Sequence, residues 1–529
     1  MESDAHIART NGIPLTAAPA GVLSGDAVSG LFGRSIEFAE RRAGAIIAAY
    51  SAFYLIALAR FSAVRPFWLD EISTYYMSAV WPPGAILRAL KENADGQPIL
   101  FDLITREFHY GRNQMLLRMP EIVGVLVMSL CLYIFVSRIA SRVHGLLAMA
   151  LPMITNARSY SYEARPYALI LGFGACMMVC WQAANRIKHR GWAIAGLWFF
   201  SSLSVGIHYF GLLSLLPFFV AEYVRWRATK RIDWPIVAAV SSAVLALLPS
   251  LPVINAVKAM AISPLYHISV PGSVIATYDF LFEPALLPSV EMIFAALIFL
   301  LWRSSSANGF QPADNVQLQN CASETALVCA FLAIPLAGLF LGEAVNTFMF
   351  RYVLAGTLGL CAAVPLALRR SKELALVCLL IVGLNVGPFL ALRILKTPEG
   401  PKQTPRAALQ GAIRDLPIVF AGAHEYVETN FYAAPDLRPR LHYLTSPEYA
   451  RYWAGSDAID AFVRHWSEIS DCRIDDIRAF TAGHKRFLVV SKKTDAFPWL
   501  LPELEREGAR ISLRDTDGAQ SVYDVDLRN

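Results

Sequence analysis

The sequence predicts an α-helical polytopic membrane protein with a small soluble α/β domain at its C-terminal end. Of its 529 residues, 55% are hydrophobic and 17% are charged, whereas about a quarter of the residues of a soluble protein are charged. The hydrophobic residues occur in runs of about 20, the length of helix that crosses a hydrocarbon core. After Leu392 the hydropathy falls, and strand-like stretches alternate with helical ones, which is typical of a small α/β domain.

The chain divides by composition into three regions. Residues 1–42 are rich in Ala, Gly and Ser, so we expect a disordered cytoplasmic tail. Residues 43–394 hold the apolar runs and form the predicted transmembrane domain. Residues 395–529 form the predicted α/β domain, after a linker rich in Pro and Gly. Its clearest elements are strands at Pro417–Ala421 and Arg486–Ser491 and a helix at Glu425–Ala433.

About eleven transmembrane helices are predicted from the apolar runs. Lys and Arg cluster in every second loop between them, for example Arg138, Arg186 and Lys230. The positive-inside rule therefore places the N-terminus in the cytoplasm and the C-terminal domain on the opposite, periplasmic side. The runs are Ala43–Phe61, Met119–Val136, Val143–Thr155, Pro166–Ala184, Trp192–Ile207, Tyr209–Val224, Trp234–Ile254, Ala285–Trp302, Ala326–Leu341, Val353–Leu368 and Leu374–Leu392.

Charge and cysteine usage exclude several functions. The net charge is +5, and the cations are spread over short loops, which argues against a nucleic-acid partner. Cys176 and Cys180 share a helix face by their spacing, but no His or second Cys pair accompanies them, so we interpret them as packing residues. No metal ligand set is predicted, and the sequence leaves open whether a divalent metal assists.

Two adjacent carboxylates stand in the first outward loop, residues 62–118. Asp70 and Glu71 follow Phe67 and Trp68, and aromatic residues of this kind anchor chains at the membrane interface. A carboxylate at this depth can face water and lipid headgroups together. An alternative interpretation, compatible with the first, is that Asp70 caps a helix beginning at Glu71.

Three outward arginines are unusual, because the positive-inside rule disfavours cations on that side. Arg158 and Arg165 lie in one outward loop, and Arg351 precedes Tyr352 in another. Arginine binds phosphate through two parallel hydrogen bonds, so we predict a receptor for an anionic headgroup; separate interfacial arginines are the alternative. His208 lies in a short outward turn. It is predicted either to bind the headgroup or to serve as a packing residue.

Three segments of the chain resemble a known family. They are Asp70-Glu71, the run from Ser161 to Leu169 that contains Glu163-Ala164-Arg165-Pro166-Tyr167, and Arg351-Tyr352. In these segments the chain resembles the polytopic GT-C glycosyltransferases, and among them the bacterial branch related to protein O-mannosyltransferases and the aminoarabinose transferase of lipid A. The resemblance spans Ala43 to Leu392.

The resemblance implies a fold with interfacial helices in the first outward loop, a polyprenyl-phosphate sugar donor and inversion at the anomeric carbon. Asp70 is then the catalytic base, and Glu71 positions substrate or base. A hydroxyl acceptor needs a base and a phosphate leaving group needs positive charge. Where relatives carry His-Pro-Pro, this chain has Gln97-Pro98-Ile99, so no acid, base or metal role is assigned to Gln97. The predicted phosphate-binding residues are Arg165, Arg351, Tyr352 and His208, and the predicted substrate-binding residues are Arg158, Tyr162 and Glu163.

The predicted function is therefore a glycosyltransferase of the bacterial inner membrane, acting on a lipid, glycan or protein. A transporter or flippase and a non-catalytic membrane scaffold are the alternatives. A transporter is expected to carry charges near the bilayer midplane, whereas Glu291, Glu324 and Glu343 stand nearer the ends of the apolar runs.

Overall fold

The computed structural model describes residues 25–186, 189–259, 270–282, 315–345, 348–395, 400, 415–492, 499–517 and 520–528. Most of these residues are helical, and strands occur only near the C-terminal end of the described chain. The predicted run Ala285–Trp302 and most of the predicted linker lie outside the described residues. The α-helices are α1 Gly25–Val64, α2 Leu69–Ala79, α3 Pro83–Lys91, α4 Ile99–Arg106, α5 Gln114–Leu117, α6 Met119–Ser137, α7 Arg142–Ala150, α8 Ala157–Tyr160, α9 Tyr167–Ala184, α10 Arg190–Ile207, α11 Leu216–Thr229, α12 Trp234–Ser242, α13 Leu251–Ala259, α14 Val270–Asp279, α15 Asn315–Leu332, α16 Ile334–Val345, α17 Gly356–Ala367, α18 Lys372–Leu395, α19 Ala423–Tyr432, α20 Pro447–Ala454, α21 Ala458–Arg464, α22 Trp466–Ile469, α23 Ile477–Gly483 and α24 Leu500–Arg506.

Five helical stretches among the described residues are long and apolar enough to cross a membrane. A sixth is counted if the pair Ala322–Leu332 and Ile334–Ala344, bent by 47°, forms one span. Helices also cover the predicted runs at Trp192–Ile207 and Val353–Leu368, although they are shorter or less apolar. The multi-pass helical architecture is thus confirmed, while the number of eleven spans stays a prediction. The five stretches are Phe32–Val64, Met119–Ser137, Tyr167–Ala184, Trp234–Ala256 and Lys372–Leu392.

The prediction of a disordered tail up to residue 42 is wrong for its last part, because α1 begins at Gly25. This part contains alanines and charged residues that favour a helix, and Glu37 and Arg41 form an ion pair of 2.6 Å one turn apart. Arg42 departs from helical geometry, with φ −104° and ψ 16°. The kink therefore lies where the apolar run begins, and residues 25–42 continue the first membrane helix.

Helices α6 and α9 pack with their backbones in close contact, which fixes the start of α9. A Cβ atom on Gly124 would lie 2.7 Å from the carbonyl oxygen of Ala168, and one on Gly172 would lie 2.6 Å from that of Gly124. Only glycine permits this approach. The loop before α9 carries Arg165. It is therefore held close to the N-terminal end of α6, which follows Arg118.

The C-terminal region contains a six-stranded mixed sheet flanked by helices, in agreement with the predicted α/β architecture. The strand order is β3-β2-β1-β4-β6-β5. Strands β1 to β4 pair in parallel, and the β5–β6 hairpin adds antiparallel strands at one edge. Both faces of the central strands are buried in separate hydrophobic clusters. The strands are β1 Ile418–Phe420, β2 Leu441–Thr445, β3 Ile474–Asp476, β4 Arg486–Lys492, β5 Arg510–Asp517 and β6 Gln520–Asp526.

This α/β domain docks on the helices that follow α1. One of its two hydrophobic clusters also includes Phe67, Ile72 and Leu90 from that segment. The Tyr432 hydroxyl accepts a hydrogen bond from the Phe67 backbone N–H at 2.6 Å, and the Tyr76 hydroxyl donates to Asp471 at 2.7 Å. The start of α2, where Asp70 lies, is therefore braced from the side of the C-terminal domain.

Candidate active site

Helix α2 carries both predicted carboxylates in its first turn and turns them in different directions. It begins at Leu69, so Asp70 and Glu71 are its second and third residues, where the helix dipole favours negative charge. Neighbouring positions on a helix point about 100° apart, because a turn holds 3.6 residues. The interpretation that Asp70 caps a helix beginning at Glu71 is wrong, because α2 begins at Leu69 and its N-cap is Trp68.

Glu71 forms a fully buried ion pair with Arg118. Its Oε1 and Oε2 accept hydrogen bonds of 2.6 Å from Nε and Nη2 of Arg118, and both side chains are 0% exposed. Oε1 also accepts from the Ala164 backbone N–H at 2.9 Å. Arg118 in turn donates to the carbonyl oxygens of Ser62, Arg65 and Pro66. Glu71 therefore ties α2 to Arg118 and to the backbone at Ala164. Because it is fully buried, it does not face a substrate.

Asp70 lies between two of the predicted arginines. Its Oδ2 is 3.0 Å from Nη1 of Arg351 and 3.8 Å from Nε of Arg165. The Asp70 carboxylate is 15% exposed and the Arg351 side chain 20%, so the pair is accessible from one side. Among the described residues, the Nε of each arginine has no hydrogen-bond partner. The structure thus brings together a carboxylate and two guanidinium groups that the sequence places far apart.

Asp95 completes this cluster and was not predicted from the sequence. Nη1 of Arg165 is 3.4 Å from its Oδ2, which also accepts hydrogen bonds from Ser73 Oγ at 3.0 Å and Gln97 Nε2 at 3.1 Å. Gln97 therefore orients Asp95, consistent with the absence of an assigned acid or base role. A carboxylate in a polar loop gives no distinguishing signal in sequence; only its contact with Arg165 shows its role.

Aromatic rings form the wall beside Arg351. Its guanidinium lies 5.6 Å from the centre of the Tyr167 ring, a cation–π arrangement that holds the cation without neutralising it. The Tyr352 ring stacks on Phe210 with 4.3 Å between centroids and lies 5.3 Å from His208. The predicted residues Tyr352 and His208 are therefore neighbours of the cluster.

His208 is uncharged in this position. Burial, together with the charges of Arg165 and Arg351, lowers the pKa of His208 to about 3. Its Nδ1 accepts a hydrogen bond from the Phe210 backbone N–H at 3.2 Å, so the proton of the neutral ring is on Nε2. His208 can donate one hydrogen bond to a phosphate, but it adds no positive charge.

Glu163 and Tyr162 lie beside the cluster and pack against a different arginine. Glu163 Oε1 is 3.3 Å from Nη2 of Arg65, and the Arg65 guanidinium lies 5.1 Å from the centre of the Tyr162 ring. Burial raises the pKa of Glu163 to about 7, against the opposing effect of Arg65. This carboxyl group therefore changes charge near neutral pH.

The raised pKa of Glu163 predicts a pH-dependent stability. Between pH 4.5, the ordinary pKa of a glutamate, and about pH 7, Glu163 keeps its proton in the folded state and has lost it in the unfolded state. The contribution of Glu163 to the free energy of unfolding therefore falls as pH rises through this range. Relative to Glu163→Gln, the wild type is expected to lose on the order of 3 kcal/mol over this range and nothing further above it. Thermal unfolding of both proteins from pH 4.5 to 8.5 measures the difference; a constant difference would contradict the assignment.

Arg158 lies in a separate crevice. Its side chain is 1% exposed and lines this crevice with Leu58, Phe61, Tyr162 and Leu390. Arg158 therefore faces residues of α1 and α18 in this crevice. Its role in substrate binding stays a prediction.

Asp102 is a second residue that the sequence did not single out. It is 0% exposed, and neither carboxylate oxygen has a hydrogen-bond partner among the described residues. Burial and the nearby charge of Asp95 raise its pKa well above the ordinary value. A carboxyl group kept neutral in this way can donate as well as accept a hydrogen bond.

Comparisons with known proteins give distant matches in structure only. No protein-family model matches the chain, and no curated protein matches it. Solved structures that are similar to it include two of ArnT. The first, ArnT from Cupriavidus metallidurans in the apo state, is 13% identical, covers 91% of this chain and 98% of its own, and has a TM-score of 0.44. The second, ArnT from the same organism bound to undecaprenyl phosphate, is 12% identical with the same coverage and a TM-score of 0.46.

ArnT is the lipid A aminoarabinose transferase and has the GT-C fold, which is the family that the segments around Asp70, Arg165 and Arg351 resemble.

Proposed function

We propose that this chain is a membrane glycosyltransferase that moves a sugar from a polyprenyl-phosphate carrier to an acceptor hydroxyl, on the periplasmic face of a bacterial inner membrane. The observation that carries the proposal is the cluster of Asp70, Arg165 and Arg351, in which one carboxylate oxygen lies 3.0 and 3.8 Å from two guanidinium groups. Such a cluster supplies a base and an anion-binding pair at one place.

Asp70 is the proposed general base. As the acceptor oxygen attacks the anomeric carbon from the side opposite the phosphate, Asp70 takes the hydroxyl proton and the bond between that carbon and the phosphate oxygen breaks. The configuration at the anomeric carbon inverts. Asp95 holds Arg165 through a 3.4 Å contact, so the base and the cation beside it keep a fixed relation.

Arg165 and Arg351 are the proposed partners of the leaving phosphate. A phosphodiester carries one negative charge, and the lipid phosphate gains a second as the sugar departs. Fixed cations that face the developing charge lower the barrier without reorganisation. The phosphate leaves as an anion, so no general acid has to protonate the leaving oxygen. The uncharged state of His208 agrees with this, because a neutral imidazole is not a general acid.

Donor binding also changes the contacts of Asp70. In the structure, Oδ2 of the carboxylate is held by Arg351 at 3.0 Å. A phosphate that takes over the hydrogen bonds of Arg351 weakens this contact and leaves Oδ2 free to accept a hydrogen bond from the acceptor hydroxyl. The donor itself therefore prepares the proposed site, which limits reaction to the loaded enzyme.

Arg351→Ala tests the phosphate-binding role. Removing a charge-assisted contact of about 1.5–3 kcal/mol is expected to weaken binding of polyprenyl phosphate by one to two orders of magnitude. The measurement is a titration of the lipid phosphate into detergent-solubilised protein. Arg88→Ala is the matched control, because Arg88 is an exposed arginine of α3 outside the cluster and its removal is expected to leave affinity unchanged.

Release of free polyprenyl phosphate from a sugar-loaded donor distinguishes the transferase from a transporter. A transferase breaks the bond between sugar and phosphate when an acceptor extract is supplied, whereas a transporter or flippase moves the intact lipid. Equal affinity of wild type and Arg351→Ala would reject the phosphate-binding role. Recovery of only intact donor would reject the transferase.

A further inference from the structure

A group of metal-ligating side chains lies outside the Asp70 cluster, at the junction between the C-terminal domain and the segment before α6. Glu92, His465 and Glu468 each offer one ligand atom, and these atoms all lie within 4.8 Å of one another. The His465 Nδ1 is 3.8 Å from Glu92 Oε2 and 3.8 Å from Glu468 Oε1. Among the described residues this is the only group of three such side chains.

The two ligand-bearing segments are held together by a buried contact. Trp466, the residue after His465, is 0% exposed, and its indole Nε1 donates a hydrogen bond of 3.0 Å to the carbonyl oxygen of Ala94. Ala94 stands two residues after Glu92, so the contact fixes the backbone on both sides of the group. A site on rigid supports loses little entropy when it binds a ligand.

The three side chains line one cleft. Its volume is 510 Å³, and its walls come from Val80 and Trp81, α3, and the turn that contains α22. His465 and Glu468 point to the same side because their spacing is three residues on a helical turn. The cleft gives an ion access from solvent and leaves room for water to complete its coordination shell.

We propose that Glu92, His465 and Glu468 bind one divalent transition-metal ion of the zinc class, which ties the C-terminal domain to the segment that carries α2. One imidazole nitrogen with two carboxylates suits zinc, whereas magnesium and calcium prefer oxygen ligands alone. Ligand bonds of about 2.0–2.2 Å place two ligands of a tetrahedral ion about 3.3 Å apart. Small side-chain rotations from the present 3.8 Å reach that spacing.

The test is zinc binding by untagged, chelator-treated full-length protein. We expect one zinc ion per chain after gel filtration, and a melting temperature that rises with zinc but not with magnesium. Glu92→Gln and His465→Ala are each expected to weaken zinc binding by about tenfold or more, since even indirect partners of a metal site contribute that much. His424→Ala, an exposed histidine of α19, is the matched control and should bind zinc as the wild type does.

Wild-type protein that retains no zinc at micromolar concentration would overturn the proposal, and this result does not depend on any variant folding. Equal retention by the wild type and by a Glu92→Gln, His465→Ala double variant would also overturn it. If the three side chains only contact one another and hold no ion, the first of these results follows. The readout is independent of sugar transfer, so its failure leaves the proposed function untouched.

Discussion

Asp70→Asn is expected to reduce sugar transfer by about three orders of magnitude, while binding of the polyprenyl-phosphate donor survives. The amide has nearly the same shape, but it cannot accept the proton of the acceptor hydroxyl, and a general base contributes about 10²- to 10⁴-fold. Removing the negative charge also frees Arg351, which is 3.0 Å from Asp70 Oδ2. Donor affinity should therefore be unchanged or tighter.

The measurement pairs a transfer assay with a lipid-phosphate titration on the same preparation. Asp436→Asn is the matched control, because Asp436 is an exposed aspartate in the turn between α19 and β2 of the C-terminal domain. Transfer by Asp70→Asn at the wild-type rate would remove Asp70 from the mechanism. Loss of donor binding in Asp70→Asn would show that the carboxylate supports the site and is not its base.

Glu71→Gln is expected to lower the free energy of unfolding by about 3–5 kcal/mol, because it leaves the Arg118 charge buried without its partner. Both side chains are 0% exposed, so water cannot compensate. Thermal unfolding in detergent measures the loss, and transfer activity should fall with the folded fraction. The exposed pair of Glu448 and Arg478, 2.8 Å apart, provides the control: Glu448→Gln should unfold as the wild type does.

A double variant, Glu71→Gln with Arg118→Met, refines this prediction. Replacing both members of a buried pair is often close to neutral, but Arg118 also holds the carbonyl oxygens of Ser62, Arg65 and Pro66. The double variant should therefore recover only part of the lost stability. Full wild-type stability in Glu71→Gln alone would contradict the structural role of the pair.

Hydropathy and periodicity predict much of the fold. A helix buried in lipid and a strand buried in a sheet are apolar over their whole length, so each leaves a pattern that can be read from the sequence. Helix α6 spans Met119–Ser137, where the sequence predicts Met119–Val136. The strand Arg486–Lys492 and the helix Ala423–Tyr432 lie where their patterns place them. The start of α1 was missed because charged residues are interspersed with its apolar ones. Phe32, Ile36 and Ala39 pack against the helical core, but the charges between them lower the hydropathy of this segment.

The candidate site is predictable only in part, because its contacts join residues distant in sequence. Arg165 and Arg351 stand out as cations in loops that are predicted to face outward, and Asp70 as one of two adjacent carboxylates. The structure brings the three together. Arg118 carries the same charge in the sequence but is completely buried on Glu71. Asp95 and Asp102 have no sequence signal that separates them from solvated carboxylates. The local sequence pattern identifies charged residues in unusual positions. Only their contacts in the folded chain show which of them stabilise the fold and which belong to the candidate site.

An experimental structure with polyprenyl phosphate bound tests the central claim most directly. The account predicts phosphate oxygens within hydrogen-bond distance of Arg165 and Arg351, and a contact between Asp70 and Arg351 longer than the present 3.0 Å. A phosphate bound elsewhere, with the Asp70–Arg351 pair intact, would contradict it.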